Sequence, residues 1–229
     1  MAISYNSTIV TSGLVLCVDA GNPRSYSGTG TQWNDATSSG FNFTLINSPA
    51  YSSSNLGFLT FDGVNEIATS GYNTALDTQT PTVEVWVKTN ATSQNGFWFE
   101  KGSVNTQYSL FQEGTNIQWR QRLADTTLTN LSTTTASFMN TSGWFQVVGT
   151  YTSGSRILYI NGVQVNSDGQ GGALATNSSG MSIGAYGGNS GSNSYWYNGA
   201  LSICRVYNRA LSAAEVLQNF NATRGRYGL

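Results

Sequence analysis

Short apolar runs separated by Ser, Thr, Asn and Gly recur along most of the chain, which is the pattern of strands joined by turns. The clearest run is TVEVWVK at 82–88, where valines alternate with Glu84, Trp86 and Lys88. This two-residue period places the valines on one face of a strand and the other three side chains on the opposite face. Further strands are predicted at 14–19, 43–46, 58–61, 96–101, 108–113, 116–122, 144–151, 156–165, 181–186 and 195–207.

Two tight turns indicate that neighbouring strands run antiparallel. Asn161-Gly162 divides the apolar segment 156–165, and this pair favours a type I′ hairpin, which needs positive φ at both positions. Gly114-Thr115 separates two further strands in the same way. No helices alternate with these strands. The pattern therefore predicts an all-β fold, an antiparallel two-sheet sandwich.

One helix signal interrupts the β pattern near the end of the sequence. Ser212 and Glu215 have the spacing of a capping box, in which the Ser hydroxyl accepts from an orphan backbone N–H and the Glu reaches back to the cap. Val216, Leu217 and Phe220 form the predicted packing stripe. We expect one short C-terminal helix that lies against the sandwich.

Length and charge restrict the domain organisation and the partners. The 229 residues suit one large β domain, and we predict an N-terminal arm at 1–13 and a single domain at 14–229. The 10 basic and 11 acidic residues form no basic stripe, which argues against nucleic acid as a partner. No apolar run has the length of a transmembrane helix, so we expect no membrane insertion. The first residues also lack the pattern of a secretory signal.

Two residue types limit the chemistry. The absence of His removes His-based acid–base catalysis, the common nucleophile triads and most zinc sites. The two cysteines, Cys17 and Cys204, lie far apart in the sequence. A disulfide and a pair of buried free thiols are both open interpretations, and we favour the free thiols.

Several segments resemble one family when they are taken in order. WFQVVGTY, GSRILYINGVQV, SIGAY and NGALSICRVYNRALSAAEV resemble the laminin-G-like, concanavalin-A-like jelly rolls that include the pentraxins. TVEVWVK and FDGVNEIATS fit strands nearer the N-terminus of such domains. The front end, GLVLCVDAGNPRSYSGTGTQW followed by TLINSPAYSSSN, looks like laminin-G-type proteins of tailed bacteriophages, cyanophages among them. The resemblance covers residues 14–221 and implies a concanavalin A-like jelly-roll sandwich.

The resemblance also implies that the first and last strands are neighbours. Cys17 and Cys204 would then lie in adjacent parts of one sheet, and a disulfide would need Cα atoms about 4.4–6.8 Å apart. A protein assembled in the cytoplasm normally keeps such thiols reduced.

Related folds include glucanases, which carry their catalytic carboxylates at alternate positions of one strand. Glycoside hydrolysis needs a carboxyl pair about 5–9.5 Å apart. None of the 11 acidic residues has this arrangement, since Glu84 is the only acid in its strand and Glu113 stands between Gln112 and Gly114. We interpret nearly all of the acids as solvated or turn-capping side chains, and we expect that the protein is not an enzyme.

A calcium site is the metal site that the resemblance suggests. Asn65 and Glu66 resemble the first element of a pentraxin-type site, but 184–198 contains no Asp or Glu to supply the second. A weaker Ca²⁺ site that uses Asp62 and Asn65 is an open alternative to a turn at Asp62-Gly63. We expect no cofactor otherwise.

Sugar binding without a metal needs exposed aromatic rings and amide groups. The candidate rings are Trp98, Trp119, Tyr186, Tyr195, Trp196 and Tyr197, each with a place in the core as its alternative. Of these, the predicted ligand-binding rings are Trp98, Trp119, Tyr186 and Trp196. If 195–197 were a regular strand, Trp196 would face one way and its two Tyr neighbours the other. Rings beside loops are the better candidates.

Three functions fit these features. We expect a non-catalytic bacteriophage virion protein, a capsid, tail or fibre decoration or adhesion protein that assembles in the host cytoplasm and lies on the virion surface. Its expected partners are other virion proteins, further copies of itself in a homo-oligomer, and cell-surface glycans. The alternative is a lectin-like carbohydrate-binding module of another, extracellular surface protein. The third is a glycoside hydrolase with an unusual site.

Overall fold

The computed structural model describes residues 8–102, 106–135, 139–187 and 194–229. Its strands in chain order are β1 (Leu14–Asp19), β2 (Gln32–Trp33), β3 (Phe43–Ile46), β4 (Ala50–Ser52), β5 (Phe58–Asp62), β6 (Ile67–Ser70), β7 (Thr82–Thr89), β8 (Gln94–Lys101), β9 (Tyr108–Gly114), β10 (Asn116–Arg122), β11 (Leu128–Thr134), β12 (Phe145–Thr152), β13 (Ser155–Ile160), β14 (Val163–Asp168), β15 (Met181–Ile183) and β16 (Asn198–Tyr207). A helix, α1, spans Ala213–Thr223.

The strands form two antiparallel sheets of eight strands each. Sheet A has the order β14-β13-β12-β7-β16-β5-β4, and β1 also pairs with β16. Sheet B has the order β11-β10-β9-β8-β15-β6-β3-β2. β16 is central in sheet A, because one of its edges pairs with β7 and the other pairs first with β5 and then with β1. The inner faces of the two sheets share one hydrophobic core, so the predicted two-sheet sandwich is confirmed.

Most strand predictions are confirmed in position. β1 and β10 have the predicted bounds, and the segment 156–165 divides into β13 and β14 at Asn161-Gly162. The φ angles of these two turn residues are 51° and 77°, as a type I′ turn requires. The prediction missed β2, β4 and β11, whereas β6 lies in FDGVNEIATS, a segment that the resemblance assigned to strands. β11 buries only Leu131, because an edge strand with polar neighbours lacks the apolar alternation that identifies a strand.

The helix α1 begins at the predicted capping box and covers the outer face of sheet A. The hydroxyl of Ser212 accepts from the backbone N–H of Glu215, and the Glu215 carboxylate accepts from the backbone N–H of Ser212. Val216 is buried, and the Phe220 ring stacks on Trp86 with 5.9 Å between centroids. The short helix of the prediction is therefore confirmed.

The packing stripe of α1 differs from the prediction at one position. Leu217 is 45% exposed, and Asn219 takes the fully buried place instead. The Asn219 amide donates to Glu84 Oε2 and to the Tyr207 hydroxyl, both at 2.8 Å. Its Oδ1 accepts from the backbone N–H of Val10 at 2.8 Å, which ties the segment predicted as an arm to the helix.

Glu84 is the centre of the buried polar cluster beneath α1. Its Oε1 accepts from Arg205 Nη1 at 2.7 Å and from Gln146 Nε2 at 3.0 Å. The interpretation of the acids as solvated is wrong for Glu84, which is fully buried. A buried carboxylate is tolerated when a charge partner and hydrogen bonds replace its water, and Arg205, Gln146 and Asn219 supply these.

The two cysteines lie in neighbouring strands but on opposite faces of sheet A. Cys17 is opposite Arg205 in the register, while Cys204 is opposite Val18 and contributes to the core. Both are buried free thiols, and burial raises the pKa of each. The candidate disulfide is wrong, because side chains one register step apart point to opposite sides of a sheet.

Candidate functional site

A pocket opens on the outer face of sheet B, on the side of the sandwich away from α1. Its cavity has a volume of about 220 Å³. It is lined by Asn95, Phe97, Phe111, Gln112, Glu113, Arg120, Tyr186 and Tyr195. Four aromatic rings, amide groups and two charged groups thus meet in one small depression, which is the usual make-up of a ligand site.

The aromatic wall of the pocket is built around Phe97. Its ring stacks on Phe111 with 4.2 Å between centroids and an angle of 5° between the ring planes. The ring centroids of Tyr186 and Tyr195 lie 5.1 Å and 6.1 Å from that of Phe97, and both rings are tilted relative to it. The two tyrosine rings meet edge-to-face. Since Tyr195 is 50% exposed, the wall has a face that a ligand can reach.

A β-bulge explains why Phe97 faces outward although its neighbours face the core. The register between β8 and β9 shifts between Phe97 and Phe99, so Phe97 lies opposite Phe111 and Phe99 opposite Leu110. Trp98 and Phe99 both pack in the core as a result. A bulge re-aims a side chain in this way without ending the strand.

Tyr195 is held over the pocket by an unusual backbone conformation. Its φ is 51°, in the left-handed region that residues with bulky side chains rarely adopt. Its carbonyl accepts from the backbone N–H of Phe97 at 3.2 Å. The absence of a side chain at Gly96 permits this approach, because a Cβ there would lie 2.7 Å from the Cα of Tyr197. Such strain is typical of functional segments.

Arg120 forms the cationic side of the pocket. Its guanidinium carbon lies 4.3 Å from the centroid of Phe111 and 5.9 Å from that of Phe97, within the range of a cation–π interaction. Its Nε donates to Asn130 Oδ1 at 3.0 Å across β10 and β11. Burial lowers the pKa of Arg120, and the negative charge of Glu113 opposes that change.

Polar groups complete the rim. The Glu113 carboxylate accepts from Gln118 Nε2 at 3.2 Å. Asn95 accepts from the backbone N–H of Gly114 at 2.9 Å through Oδ1, which fixes the amide at the edge of the pocket. These groups supply a carboxylate acceptor and an amide beside the rings, the combination that sugar hydroxyls require.

Glu100 lies buried on the same face, two strands from Arg120. Its Oε1 accepts from Thr106 Oγ1 at 2.5 Å, and its Oε2 accepts from the backbone N–H of Gly187 at 2.8 Å. Burial raises the pKa of Glu100 to about 7, and these hydrogen bonds oppose the increase. The carboxyl thus anchors the chain next to Tyr186 and changes charge near neutral pH.

The structure corrects two of the four predicted ligand-binding rings. Trp98 and Trp119 are fully buried in the core, so neither offers a face to a ligand. The Trp119 indole donates to the Thr150 carbonyl at 3.0 Å, between the sheets. Tyr186 lines the pocket as predicted, whereas Trp196 is partly exposed outside the lining residues. A binding role for either of these two stays a prediction.

The structure also shows why 195–197 misled the prediction. β16 begins only at Asn198, and the three preceding residues are not a regular strand. Tyr195 therefore faces the pocket while Tyr197 lies fully buried in the core, although a strand would place them on one side.

Of the residues that line the pocket, only Tyr186 and Tyr195 were among the candidate rings of the sequence analysis. In NIQWRQR, alternation alone places Arg120 on the face opposite Trp119, which is a usable signal. The outward turn of Phe97 has no such signal, because simple alternation assigns Phe97 and Phe99 to one face and the bulge separates them.

Asp62, the predicted calcium ligand, caps a turn. Its Oδ1 accepts from the backbone N–H groups of Val64 at 2.8 Å and Asn65 at 3.2 Å. The Asn65 carbonyl accepts from Asn47 Nδ2 at 2.8 Å. Within the described ranges, no group of three or more His, Cys, Asp and Glu side chains could hold a metal ion.

No helix in the described part of the chain is long and apolar enough to span a membrane.

A family model described as the concanavalin A-like lectin/glucanases superfamily matches residues 61–217, which is more than half of the chain. The chain belongs to this superfamily. The two-sheet jelly-roll sandwich with its short C-terminal helix is accordingly the concanavalin A-like fold, as the resemblance implied. No curated protein matches the chain.

Solved structures support the same fold. The binding domain of Paraclostridial Mosquitocidal Protein 1 is similar with a TM-score of 0.71 and 15% identity, over 92% of this chain and 52% of that one. The receptor-binding domain of botulinum neurotoxin type G has a TM-score of 0.68 and 14% identity, over 91% of this chain and 51% of that one. The binding domain of botulinum neurotoxin DC in complex with SialylT has a TM-score of 0.67 and 13% identity, over 92% and 52%. The chain therefore spans about half the length of these structures.

Proposed function

We propose that this superfamily member is a non-catalytic, lectin-like module that binds carbohydrate in the pocket on the outer face of sheet B. The observation that carries the proposal is the meeting of four aromatic rings with amide and charged groups around a cavity of about 220 Å³. This volume is below the roughly 300–1,000 Å³ of sites for drug-sized ligands, so the pocket suits one sugar unit of a longer glycan.

The chemistry of the rim favours a sugar over a wholly apolar ligand. Sugar rings present C–H faces that pack on aromatic rings, and the half-exposed Tyr195 offers such a surface. The hydroxyl groups of a sugar need donors and acceptors, which Asn95, Glu113 and Arg120 supply. Among the similar structures, one is a receptor-binding domain and another is a binding domain in complex with SialylT, which agrees with a recognition role.

The acids of the pocket support a binding role rather than hydrolysis. Glycoside hydrolysis needs two carboxyl groups that flank the bond to be cleaved. Both oxygens of Glu100 accept hydrogen bonds from the protein, so this carboxyl is committed to anchoring the chain beneath Tyr186. Glu113 is then the one carboxylate among the residues that line the cavity.

A glycan array with three proteins tests the proposal. Wild type should bind a subset of glycans, and Tyr195→Ala should lose about tenfold in affinity. The packing of a ligand ring on an aromatic side chain contributes on the order of 1 kcal/mol or more. Tyr72→Ala is the matched control, because Tyr72 is 41% exposed but does not line the pocket. Absence of glycan binding by wild type, or equal binding by Tyr195→Ala, would contradict the proposal.

The place of this module on a bacteriophage virion is a separate proposal, which rests on the resemblance of the front end to laminin-G-type phage proteins. In that setting the protein would assemble in the host cytoplasm, contact other virion proteins and form a homo-oligomer on the particle surface. Mass spectrometry of purified virions should find the chain. Its presence only in the soluble lysate of infected cells would count against this proposal and leave the glycan site untouched.

A further inference from the structure

We infer that the pocket selects acidic sugars, with an anionic group of the ligand bound by Arg120. The inference rests on the proposed function and adds the charge class of the ligand. It is carried by the observation that Arg120 lines the pocket without a carboxylate partner. All charged side chains of the protein lie in the described residues.

Arg120 differs from the cations that the fold uses for its own stability. The side chains that form ion pairs are Lys101, Arg156, Arg205, Arg209 and Arg226. No carboxylate oxygen lies within 4.0 Å of Arg120, although its side chain is only partly exposed to solvent. A cation that is partly removed from water and has no counterion attracts an anion strongly.

The guanidinium is also fixed in position before any ligand arrives. Phe111 and Phe97 support it from the side of the sheet, and Asn130 accepts from Nε. Within the described part of the chain, neither terminal nitrogen has a hydrogen-bond partner. These nitrogens carry the N–H groups that bind a carboxylate or sulfate in pairs, the interaction for which arginine is best suited.

The neighbouring charges leave the Arg120 side of the pocket positive. Arg122 lies two residues further along β10, on the same face as Arg120. Glu113 lies more than 4.0 Å from Arg120 and accepts from Gln118 instead. Glu100 is buried and carries only part of its charge near neutral pH. A ligand anion in the pocket therefore meets the cation of Arg120 and the exposed carboxylate of Glu113, with a second cation, Arg122, on the same face of the strand.

Titration of ¹⁵N-labelled protein followed by NMR tests the inference with four small probes. The probes are D-glucuronate, its neutral methyl ester, D-glucose 6-sulfate and D-glucose. Each is titrated into wild type, Arg120→Gln and Arg24→Gln. The last variant is the matched control, because Arg24 also lacks an ion pair but is exposed away from the pocket.

Wild type and Arg24→Gln should bind at least one acidic probe about tenfold to a hundredfold more tightly than its neutral counterpart. Arg120→Gln should lose this preference, so that its affinity for the acidic probes falls to that for the neutral ones, and its dispersed amide spectrum shows that the variant is folded. Selectivity for glucuronate alone would identify a carboxylate site, and similar binding of both acids a general anion site.

Equal affinity of wild type for acidic and neutral sugars would overturn the inference, as would an acid preference that survives in Arg120→Gln. In either case the proposed function stands, because sugars still bind. Failure of all four probes and of the glycan array would instead overturn the proposed function itself.

Discussion

Replacement of Gly96 by alanine should disturb the pocket although Gly96 is not one of the residues that line it. The added Cβ would lie 2.7 Å from the Cα and 3.0 Å from the Cδ2 of Tyr197. The chain at Tyr195 and Tyr197 must then move away from β8, since the nearest atom belongs to the backbone. Overpacking of this kind costs about 1–3 kcal/mol. For a domain of this size we expect the melting temperature to fall by about 2–12 °C.

Thermal unfolding followed by circular dichroism measures this change. Gly71→Ala is the matched control, because a Cβ at Gly71 meets nothing within 4 Å and its φ is not in the left-handed region. Gly96→Ala should also bind glycan more weakly, because the Phe97 N–H to Tyr195 carbonyl hydrogen bond holds the Tyr195 ring over the cavity. The reasoning is refuted if Gly96→Ala has the same melting temperature as Gly71→Ala and retains full glycan affinity.

Three further predictions concern the buried charges and the helix. Glu84→Gln should lower the free energy of unfolding by about 3–5 kcal/mol in urea titrations, because it leaves Arg205 buried without a counterion; a loss below about 1 kcal/mol would contradict this. The pKa of Glu100 is raised from 4.5 to about 7, so the folded state favours the protonated carboxyl. The free energy of unfolding of wild type should therefore fall by about 3 kcal/mol relative to that of Glu100→Gln as the pH rises from below 4.5 through 7. Parallel stability–pH curves would disprove that shift. Ser212→Ala should cost about 1 kcal/mol through loss of the N-cap, and an unchanged urea midpoint would argue against the capping box.

The architecture was largely predictable from local sequence features. Alternation in 82–88 correctly separates the core valines from Glu84 and Trp86, and the Asn161-Gly162 pair fixes one hairpin. Alternation does not reveal that the helix α1 covers the outer face of sheet A. Glu84 resembles a solvated residue in the sequence, but Arg205 and Gln146 contact it within sheet A and α1 brings Asn219 onto it.

The candidate site was predictable only in part, for two physical reasons. Trp98 and Trp119 are large rings in strands, and the hydrophobic effect places such rings in the core unless a bulge or a loop turns them outward. Phe97 faces outward through a bulge, and Tyr195 through a left-handed backbone conformation. Both depend on contacts between distant segments, so no local pattern announces them.

The most direct test of glycan recognition on sheet B is to map bound glycan by NMR. ¹⁵N-labelled wild type is titrated with the best glycan from the array, and backbone amide shifts are assigned. The largest changes should fall on Phe97, Phe111, Arg120, Tyr186 and Tyr195, which surround one cavity on the outer face of sheet B. Saturable changes confined to another part of the surface, with these five amides unmoved, would contradict the account.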